Sequence, residues 1–186
     1  TMGCEFAGVI EKVGTDVGAW KPGEKVFGYN DRQFGGHAEY LTIDEKDTFT
    51  TMPEKISFVQ AAAITEGAHY ALSDIRAAAI RPGDEVMVYG ATGAIGSAAV
   101  QLLKYFGAKV TAVCNSVNVQ LVKSLGADIV VDYETTDFTR TDVRYSLVFD
   151  AVGKSSFGVC KRILRENGLY ISTELGKNGQ NIFLAM

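Results

Sequence analysis

A glycine-rich segment between an apolar run and a helical pattern carries the clearest chemical signal in the sequence. It reads Tyr89-Gly90-Ala91-Thr92-Gly93-Ala94-Ile95-Gly96, an A-x-G-x-x-G pattern. Gly93 would let the backbone approach a phosphate, and Gly96 would let the following helix pack closely on the strand. Free N–H groups at the start of that helix would face the negative charge. With a strand before the loop and a helix and a strand after it, the pattern predicts that Thr92, Gly93, Ala94, Ile95 and Gly96 bind a dinucleotide pyrophosphate. The alternative is a glycine turn used only for packing.

The residues after the second strand bear on which dinucleotide binds. A site for NAD usually places Asp or Glu there, about 20 residues after the loop, to bind the ribose 2′-OH. The sequence has no acidic residue between Gly96 and Asp128, and Asn115 and Ser116 occupy the expected position. Both can donate to a 2′-phosphate, and no carboxylate is expected there to repel it, so NADP(H) is the predicted cofactor. Asn115 or Ser116 could also simply cap the second helix.

Alternating strands and helices must position these residues, and the sequence has that rhythm from Glu85 onward. Short apolar runs predict strands at 85–89, 109–113, 129–131, 147–149 and 169–171. Helical spacing of apolar residues predicts helices at 95–106, 117–125 and 157–164. Each helix is followed by a glycine, Gly107, Gly126 or Gly168, that can take the left-handed conformation beyond a helix end. Repeated strand–helix–strand units predict an α/β, Rossmann-type, doubly wound parallel sheet.

The first third of the chain has a different character. Short apolar runs alternate with glycine turns, which predicts strands near 7–13, 25–28 and 38–41. Two alanine-rich stretches then predict helices at 56–64 and 67–80, the second ending before Pro82-Gly83. The change of pattern predicts two domains, residues 1–63 and residues 64–186.

Composition excludes several classes of protein. Lys and Arg number 18 against 22 acidic residues, and no basic run occurs, which argues against nucleic-acid binding. The longest uncharged stretch, 86–103, is interrupted by Gly90, Gly93 and Gly96, so no membrane span is expected. An odd count of three widely spaced cysteines argues against a disulfide framework, and no signal peptide is visible at the N-terminus. We therefore expect a cytoplasmic protein.

Several motifs in register resemble one known family, the zinc-independent quinone oxidoreductase branch of the medium-chain dehydrogenase/reductases. The segments that carry the resemblance are Gly3–Ile10, Trp20–Gly28, Gly35–Tyr40, Ala61–Ala63, the glycine-rich loop, Leu125–Asp128 and Phe149–Gly153. Family members are longer than this chain. The resemblance implies that residues 1–63 are part of a GroES-like substrate domain. It also implies that residues 64–186 are a Rossmann domain lacking its last strand and helices.

The resemblance implies an enzyme that transfers hydride from NADPH to a quinone or other conjugated carbonyl without zinc. It also implies that the intact protein is a homodimer and that this segment alone is inactive. Two alternatives stay open: an alcohol dehydrogenase or enoyl reductase of the same superfamily, or an NADP(H)-binding scaffold or sensor without turnover.

Further cofactor contacts follow from the resemblance, residue by residue. Tyr133 matches a tyrosine at the adenosine 2′-phosphate, and His69 lies where the family often has a threonine near the nicotinamide carboxamide. Ala151, Val152 and Gly153 would cover the nicotinamide ribose. Asn118 departs from the lysine of some NADPH-specific members. No catalytic acid or base is assigned.

Zinc ligation is the remaining question for the resemblance. Zinc-dependent members carry a cysteine-rich lobe, and the short connection from Gly28 to Gly35 has no cysteine. Cys4 and Glu66 stand where catalytic zinc ligands occur in those members, and both types can ligate zinc. With only these two candidates, the expected metal content is none.

Overall fold

The computed structural model describes residues 2–176. The chain divides into two compact units, residues 1–66 and residues 67–186, and the boundary falls inside a helix. Each unit has its own sheet. No helix in the described part of the chain is both long enough and apolar enough to cross a membrane.

The first unit contains a three-stranded antiparallel sheet. Its strands are β1 (Glu5–Val9), β2 (Lys25–Tyr29) and β3 (Phe49–Thr51), and β2 lies in the middle. The Trp20 ring stacks on Phe49 at a centroid distance of 4.6 Å and covers the end of the sheet. The strand predicted at residues 38–41 is wrong. Residues 49–51 supply the third strand instead, and the side chain of Tyr40 is 74% exposed.

One helix, α1 (Phe58–Ala77), replaces the two helices predicted at 56–64 and 67–80. It begins with a capping box: the Ser57 hydroxyl accepts from the Gln60 N–H at 3.2 Å, and the Gln60 amide oxygen accepts from the Ser57 N–H at 2.9 Å. Gly67 does not break the helix. A Cβ at that position would lie 2.6 Å from the carbonyl oxygen of Ala94, so the glycine permits a close contact with the next helix.

The second unit contains the predicted parallel sheet. Its strands are β4 (Glu85–Tyr89), β5 (Lys109–Cys114), β6 (Ile129–Asp132), β7 (Tyr145–Asp150) and β8 (Leu164–Ser172). They lie in the order β6-β5-β4-β7-β8, and all neighbouring strands are parallel. This is the doubly wound order, in which the chain reverses direction across the sheet at its first strand, here β4. The Rossmann-type fold class is thus confirmed.

Of the three helices that follow β4, one has its predicted length and is shifted by one residue, and two are shorter than predicted. They are α2 (Ala94–Tyr105), α3 (Val119–Ser124), preceded by a 3-10 turn at Ser116–Asn118, and α4 (Phe157–Cys160), followed by a 3-10 turn at Lys161–Ile163. Gly107 and Gly126 have the left-handed φ values expected beyond helix ends, 80° and 102°. The same prediction for Gly168 is wrong, because Gly168 lies inside β8, where its neighbour Asn167 has φ 57°. A Cβ at 168 would lie 2.7 Å from the Tyr145 carbonyl oxygen, so that glycine serves close packing.

Ion pairs at the ends of the strands bear on acid stability. Asp84 pairs with Arg165 at 3.0 Å and Asp128 pairs with Lys104 at 2.8 Å. Burial alone would raise the pKa of each carboxyl. Hydrogen bonds from backbone N–H groups and the facing cation outweigh it and lower both pKa values. Their contribution to stability is therefore complete above the ordinary aspartate pKa of about 3.9 and is lost as the pH falls through the lower, folded-state pKa.

We expect the melting temperature of the protein to be nearly constant from pH 7 to about pH 5 and to fall below about pH 4. An Asp128→Asn variant should be less stable at neutral pH and should show a shallower acid decline, because it lacks one carboxylate with a lowered pKa. Thermal unfolding followed by circular dichroism measures both. An acid decline of the same steepness in the two proteins would contradict the assignment.

Candidate functional site

The loops that follow four of the parallel strands lie together at the carboxyl end of the second unit's sheet. Tyr89 at the end of β4 pairs with Val113 of β5 and with Asp150 of β7, and Cys114 of β5 pairs with Asp132 of β6. In open doubly wound sheets, ligands bind beyond the carboxyl ends of the strands where the strand order reverses. The candidate site is therefore the loop after β4 with the loops of its neighbours.

The loop after β4 is held in a fixed shape by its own backbone. The N–H groups of Gly90 and Ala91 both donate to the Val113 carbonyl at 3.2 Å, and the Gly93 N–H donates to the Gly90 carbonyl at 3.3 Å. Gly90 has φ 83°, a left-handed value that favours glycine. The turn is thus tied to the neighbouring strand before α2 begins.

Gly93 stands at the open end of this loop and caps α2 without a side chain. A Cβ there would meet nothing nearer than the Gly90 carbonyl oxygen at 3.9 Å, and Thr92, Gly93 and Ala94 are exposed. The N–H groups of Ala94 and Ile95 lie in the first turn, where they have no partner within the helix. Open space beside unpaired backbone donors fits a phosphate group, as the sequence predicts.

Gly96 contributes to the site through packing. A Cβ at this position would lie 2.1 Å from the Gly90 carbonyl oxygen and 3.0 Å from the Cα of Ala91. Real Cβ atoms essentially never come closer than 3.0 Å to other heavy atoms. The absence of a side chain therefore lets the first turn of α2 lie directly against the loop.

The loop after β7, residues 151–153, lies against the loop after β4. The Ala151 N–H donates to the Tyr89 carbonyl at 3.0 Å, and a Cβ at Gly90 would be only 2.6 Å from Cγ1 of Val152. Gly153 has φ 61°. The structure thus places residues 151–153, predicted to cover the nicotinamide ribose, beside Tyr89 and Gly90, where the chain enters the loop after β4.

Asp150 fixes the shape of residues 151–153, and sequence reasoning assigned it no role. Its side chain is fully buried. One carboxylate oxygen accepts from the Val152 N–H at 3.1 Å, and the other accepts from the Ser155 N–H at 2.9 Å and the Tyr170 hydroxyl at 2.8 Å. Burial and then the negative charge of Asp150 raise the pKa of Tyr170 well above its ordinary value. The available signal was an acidic residue directly after the predicted apolar strand at 147–149.

Asn115 and Ser116 follow β5 as expected, but their surroundings differ from the prediction. The Ser116 hydroxyl donates to Asp132 at 2.5 Å, and the Ser116 N–H donates to Glu134 at 3.0 Å. The side-chain oxygen of Asn115 accepts from the Asn118 amide at 2.5 Å. The expectation that no carboxylate lies here is wrong, because β6 pairs with β5 and brings its own acidic residues to the same edge.

Tyr133 and His69, the remaining predicted site residues, lie on different elements. Tyr133 follows β6, and its ring is 6.4 Å from the ring of Tyr89, centroid to centroid. His69 is an exposed residue of α1. It lies two residues after Gly67, which contacts Ala94 at the start of α2. Its ring meets Tyr70 edge-on at 5.6 Å.

The candidate zinc ligands lie in the first unit. The carboxylate of Glu5 accepts from the Thr65 hydroxyl and the Glu66 N–H, both at 2.8 Å. Burial raises the pKa of the Cys4 thiol, and the charges of Glu66, Asp31 and Glu5 raise it further. A protonated thiol is a poor metal ligand. Within residues 2–176, no group of three or more His, Cys, Asp or Glu side chains is arranged to hold a metal ion.

Comparison with known proteins agrees with this architecture at both ends of the chain. A family model described as alcohol dehydrogenase GroES-like domain matches residues 1–54, and one described as zinc-binding dehydrogenase matches residues 94–185. Among curated proteins, a 2-methylene-furan-3-one reductase from Solanum lycopersicum is 34% identical over 175 residues. That match covers 89% of this chain and 44% of the relative.

Two solved structures give the same picture. The quinone oxidoreductase from Coxiella burnetii has a TM-score of 0.88 and 29% identity, covering 99% of this chain and 59% of the other. The quinone oxidoreductase from Escherichia coli, complexed with NADPH, has a TM-score of 0.82 and 27% identity, covering 92% of this chain and 54% of the other. The chain spans about half the length of the relatives that it matches. The chain belongs to the medium-chain dehydrogenase/reductase superfamily, on its quinone oxidoreductase branch.

Proposed function

We propose that the protein is an NADPH-dependent oxidoreductase that reduces a quinone or another conjugated carbonyl compound without zinc. The observation that carries the proposal is the open space beside Gly93 at the start of α2, where the first backbone N–H groups of the helix have no partner within it. The names of the relatives, a 2-methylene-furan-3-one reductase and a quinone oxidoreductase, supply the substrate class.

Each predicted site residue has a proposed part in holding the cofactor. Residues 92–96 bind the pyrophosphate, and residues 151–153 cover the nicotinamide ribose. His69 lies toward the nicotinamide carboxamide, while Asn115, Ser116 and Tyr133 lie toward the adenosine ribose. When bound, the nicotinamide supplies or accepts the hydride, and the protein supplies orientation and a shaped, fixed environment.

Zinc is not part of the proposal because the donor set is small. Catalytic zinc sites in proteins use three protein ligands, and the two candidates of this chain are Cys4, whose thiol pKa is raised, and Glu66. A quinone accepts hydride without an obligatory metal, and water can supply the proton. A zinc-dependent alcohol dehydrogenase would need ligands beyond these two.

The proposal also concerns the domains, the assembly and the location of the protein. We propose that residues 1–63 belong to a GroES-like substrate domain, that residues 64–186 belong to the cofactor domain, and that the intact protein is a cytoplasmic homodimer. Size-exclusion chromatography with light scattering would test the dimer, and fluorescence microscopy of a tagged protein would test the location.

A Gly93→Ala variant separates cofactor binding from folding. The backbone at this position has φ −73°, which alanine adopts freely, and the added methyl group meets no protein atom closely. It would occupy the space that a phosphate needs. We expect the Kd for NADPH to rise about tenfold or more, while the loss of the glycine cap costs only about 0.5–1 kcal/mol of stability.

Fluorescence titration with NADPH measures the Kd, and the melting temperature reports the fold. Gly18→Ala is the matched control, since Gly18 is also exposed with no atom near its missing Cβ. An unchanged Kd in Gly93→Ala would remove the pyrophosphate assignment.

The proposed activity is tested with the intact protein, NADPH and a panel of quinones, enones, enoyl thioesters and simple alcohols and aldehydes. Oxidation of NADPH is followed by its absorbance. We expect turnover with quinones or activated enones. Turnover restricted to alcohols and aldehydes would favour an alcohol dehydrogenase, and binding of NADPH without turnover on any acceptor would favour a scaffold or sensor.

A further inference from the structure

The adenosine end of the candidate site contains two carboxylates that fit one form of the cofactor better than the other. They are Asp132, the last residue of β6, and Glu134, two residues further on, and we call them the carboxylate pair. Asp132 accepts from the Ser116 hydroxyl at 2.5 Å, and Glu134 accepts from the Ser116 N–H at 3.0 Å. Both donors that Ser116 could offer to a 2′-phosphate are thus bonded to carboxylate oxygens.

The strand register makes this arrangement a property of the fold. Cys114 and Asp132 are paired residues of adjacent parallel strands, so the segments that follow them leave the sheet side by side. The N–H of Tyr133 donates to the Cys114 carbonyl at 3.0 Å, and the N–H of Glu134 donates to the Asp132 carboxylate at 3.0 Å. These bonds hold the carboxylate pair next to Ser116.

The charge around the carboxylate pair is not balanced by ion pairs. None of the ion pairs in the described part of the chain involves Asp132 or Glu134. Hydrogen bonds from the Ser116 hydroxyl and the Glu134 N–H lower the pKa of Asp132, so its carboxylate stays ionised below neutral pH as well. Ser116 and Glu134 are exposed, which leaves them accessible to a ligand at this edge.

The two forms of the cofactor differ only at the ribose 2′ position. A 2′-phosphate brings about two negative charges and needs hydrogen-bond donors. A free 2′-OH can donate to a carboxylate, which is how acidic residues recognise NAD in other doubly wound domains. The pyrophosphate end of the site thus fits both cofactors, whereas the carboxylate pair fits the hydroxyl and repels the phosphate.

We propose that Asp132 and Glu134 weaken the binding of the 2′-phosphate in this protein, so that NADH competes with NADPH for the same site. Glu134 is the deciding residue, because its carboxylate must leave the Ser116 N–H before a phosphate can accept from it. The inference rests on the proposed function, since it assumes that the loop after β4 binds a nicotinamide dinucleotide.

The test is a fluorescence titration of the intact protein and its Glu134→Gln variant with NADPH and, separately, with NADH. Removing one negative charge near a phosphate of about two charges should tighten NADPH binding about tenfold at low salt. The Kd for NADH should change little. Raising the ionic strength should narrow the difference between variant and parent for NADPH, because exposed charges are screened.

Glu166→Gln is the matched control. Glu166 is also exposed. It lies near the amino end of β8, and β8 and β6 are the two outer strands of the sheet. It removes the same net charge and should leave the ratio of the two Kd values unchanged.

Failure of the inference is distinguishable from failure of the proposed function. If both cofactors bind and Glu134→Gln leaves their Kd ratio within twofold of the parent, the carboxylate pair does not set the choice. If the control changes the ratio as much as Glu134→Gln does, the effect is one of net charge and the inference is overturned. If neither cofactor binds to any of the three proteins, the proposed function itself is overturned.

Discussion

A Gly96→Ala variant is expected to lose dinucleotide binding and to unfold at a markedly lower temperature than the parent protein. The new Cβ would lie 2.1 Å from the carbonyl oxygen of Gly90, 2.8 Å from its carbonyl carbon and 3.0 Å from the Cα of Ala91. All three atoms belong to backbone, which cannot rotate aside as a long side chain can. The overlap must therefore be relieved by moving α2 or the loop after β4.

Moving α2 is costly because its inner face is part of the core. Ala99, Val100 and Leu103 are fully buried against the sheet. Overpacking of such an interface costs about 1–3 kcal/mol or more, and we expect about 3 kcal/mol here. For a protein of this size that corresponds to a fall in melting temperature of about 6–12 °C.

A matched glycine shows whether the effect belongs to the position. Gly158 also lies in the first turn of a helix, and a Cβ there meets only the Ser156 hydroxyl oxygen at an ordinary 3.9 Å. Gly158→Ala should be neutral or slightly stabilising, since alanine favours the helix. A Gly96→Ala protein that melts with the parent and binds NADPH with the same Kd would show that α2 can shift without cost.

The contrast between Gly93 and Gly96 could be read from the sequence because its causes are local. The order of strand, turn and helix fixes which glycine stands in open space at the start of the helix and which packs against the loop. The strand from Glu85 to Tyr89 was predicted with its observed bounds for the same reason, since a short apolar run between a charged and a glycine-rich segment has few alternatives.

Features that depend on contacts between residues distant in the chain could not be predicted from the sequence. Two helices were predicted at 56–64 and 67–80, yet one helix, α1, spans both, and Gly67 within it allows the close approach of Ala94, far along the chain. The environment of Ser116 was judged from residues along its own strand, whereas its carboxylate partners come from the neighbouring strand. Helix packing decides the first case and strand pairing the second, and a single sequence predicts the order of the elements without their side-chain partners.

Asp150 gives the second large expected effect. An Asp150→Ala variant should lose about 3 kcal/mol of stability or more, because it leaves three donors without their acceptor: the N–H groups of Val152 and Ser155 and the Tyr170 hydroxyl. Each buried polar group that loses its partner costs about 1–3 kcal/mol. The same loss frees the Ala151–Gly153 loop, so the Kd for NADPH should rise together with the fall in melting temperature.

Two further variants separate the carboxylate's shape from its charge and hydrogen bonds. Asp150→Asn keeps the size of the side chain but turns one acceptor into a donor that faces another donor. We expect it to lower the free energy of unfolding, but by less than Asp150→Ala does. Tyr170→Phe removes one donor and leaves Asp150 with its two backbone partners, so loop geometry and NADPH affinity should stay close to the parent.

A double-mutant cycle tests whether the two residues act together. Asp150→Asn and Tyr170→Phe combined should lower the free energy of unfolding by less than the sum of their separate effects, because the two residues share one hydrogen bond. Strict additivity, with unchanged NADPH affinity in Asp150→Asn, would mean that the buried carboxylate does not shape the loop that packs against Gly90.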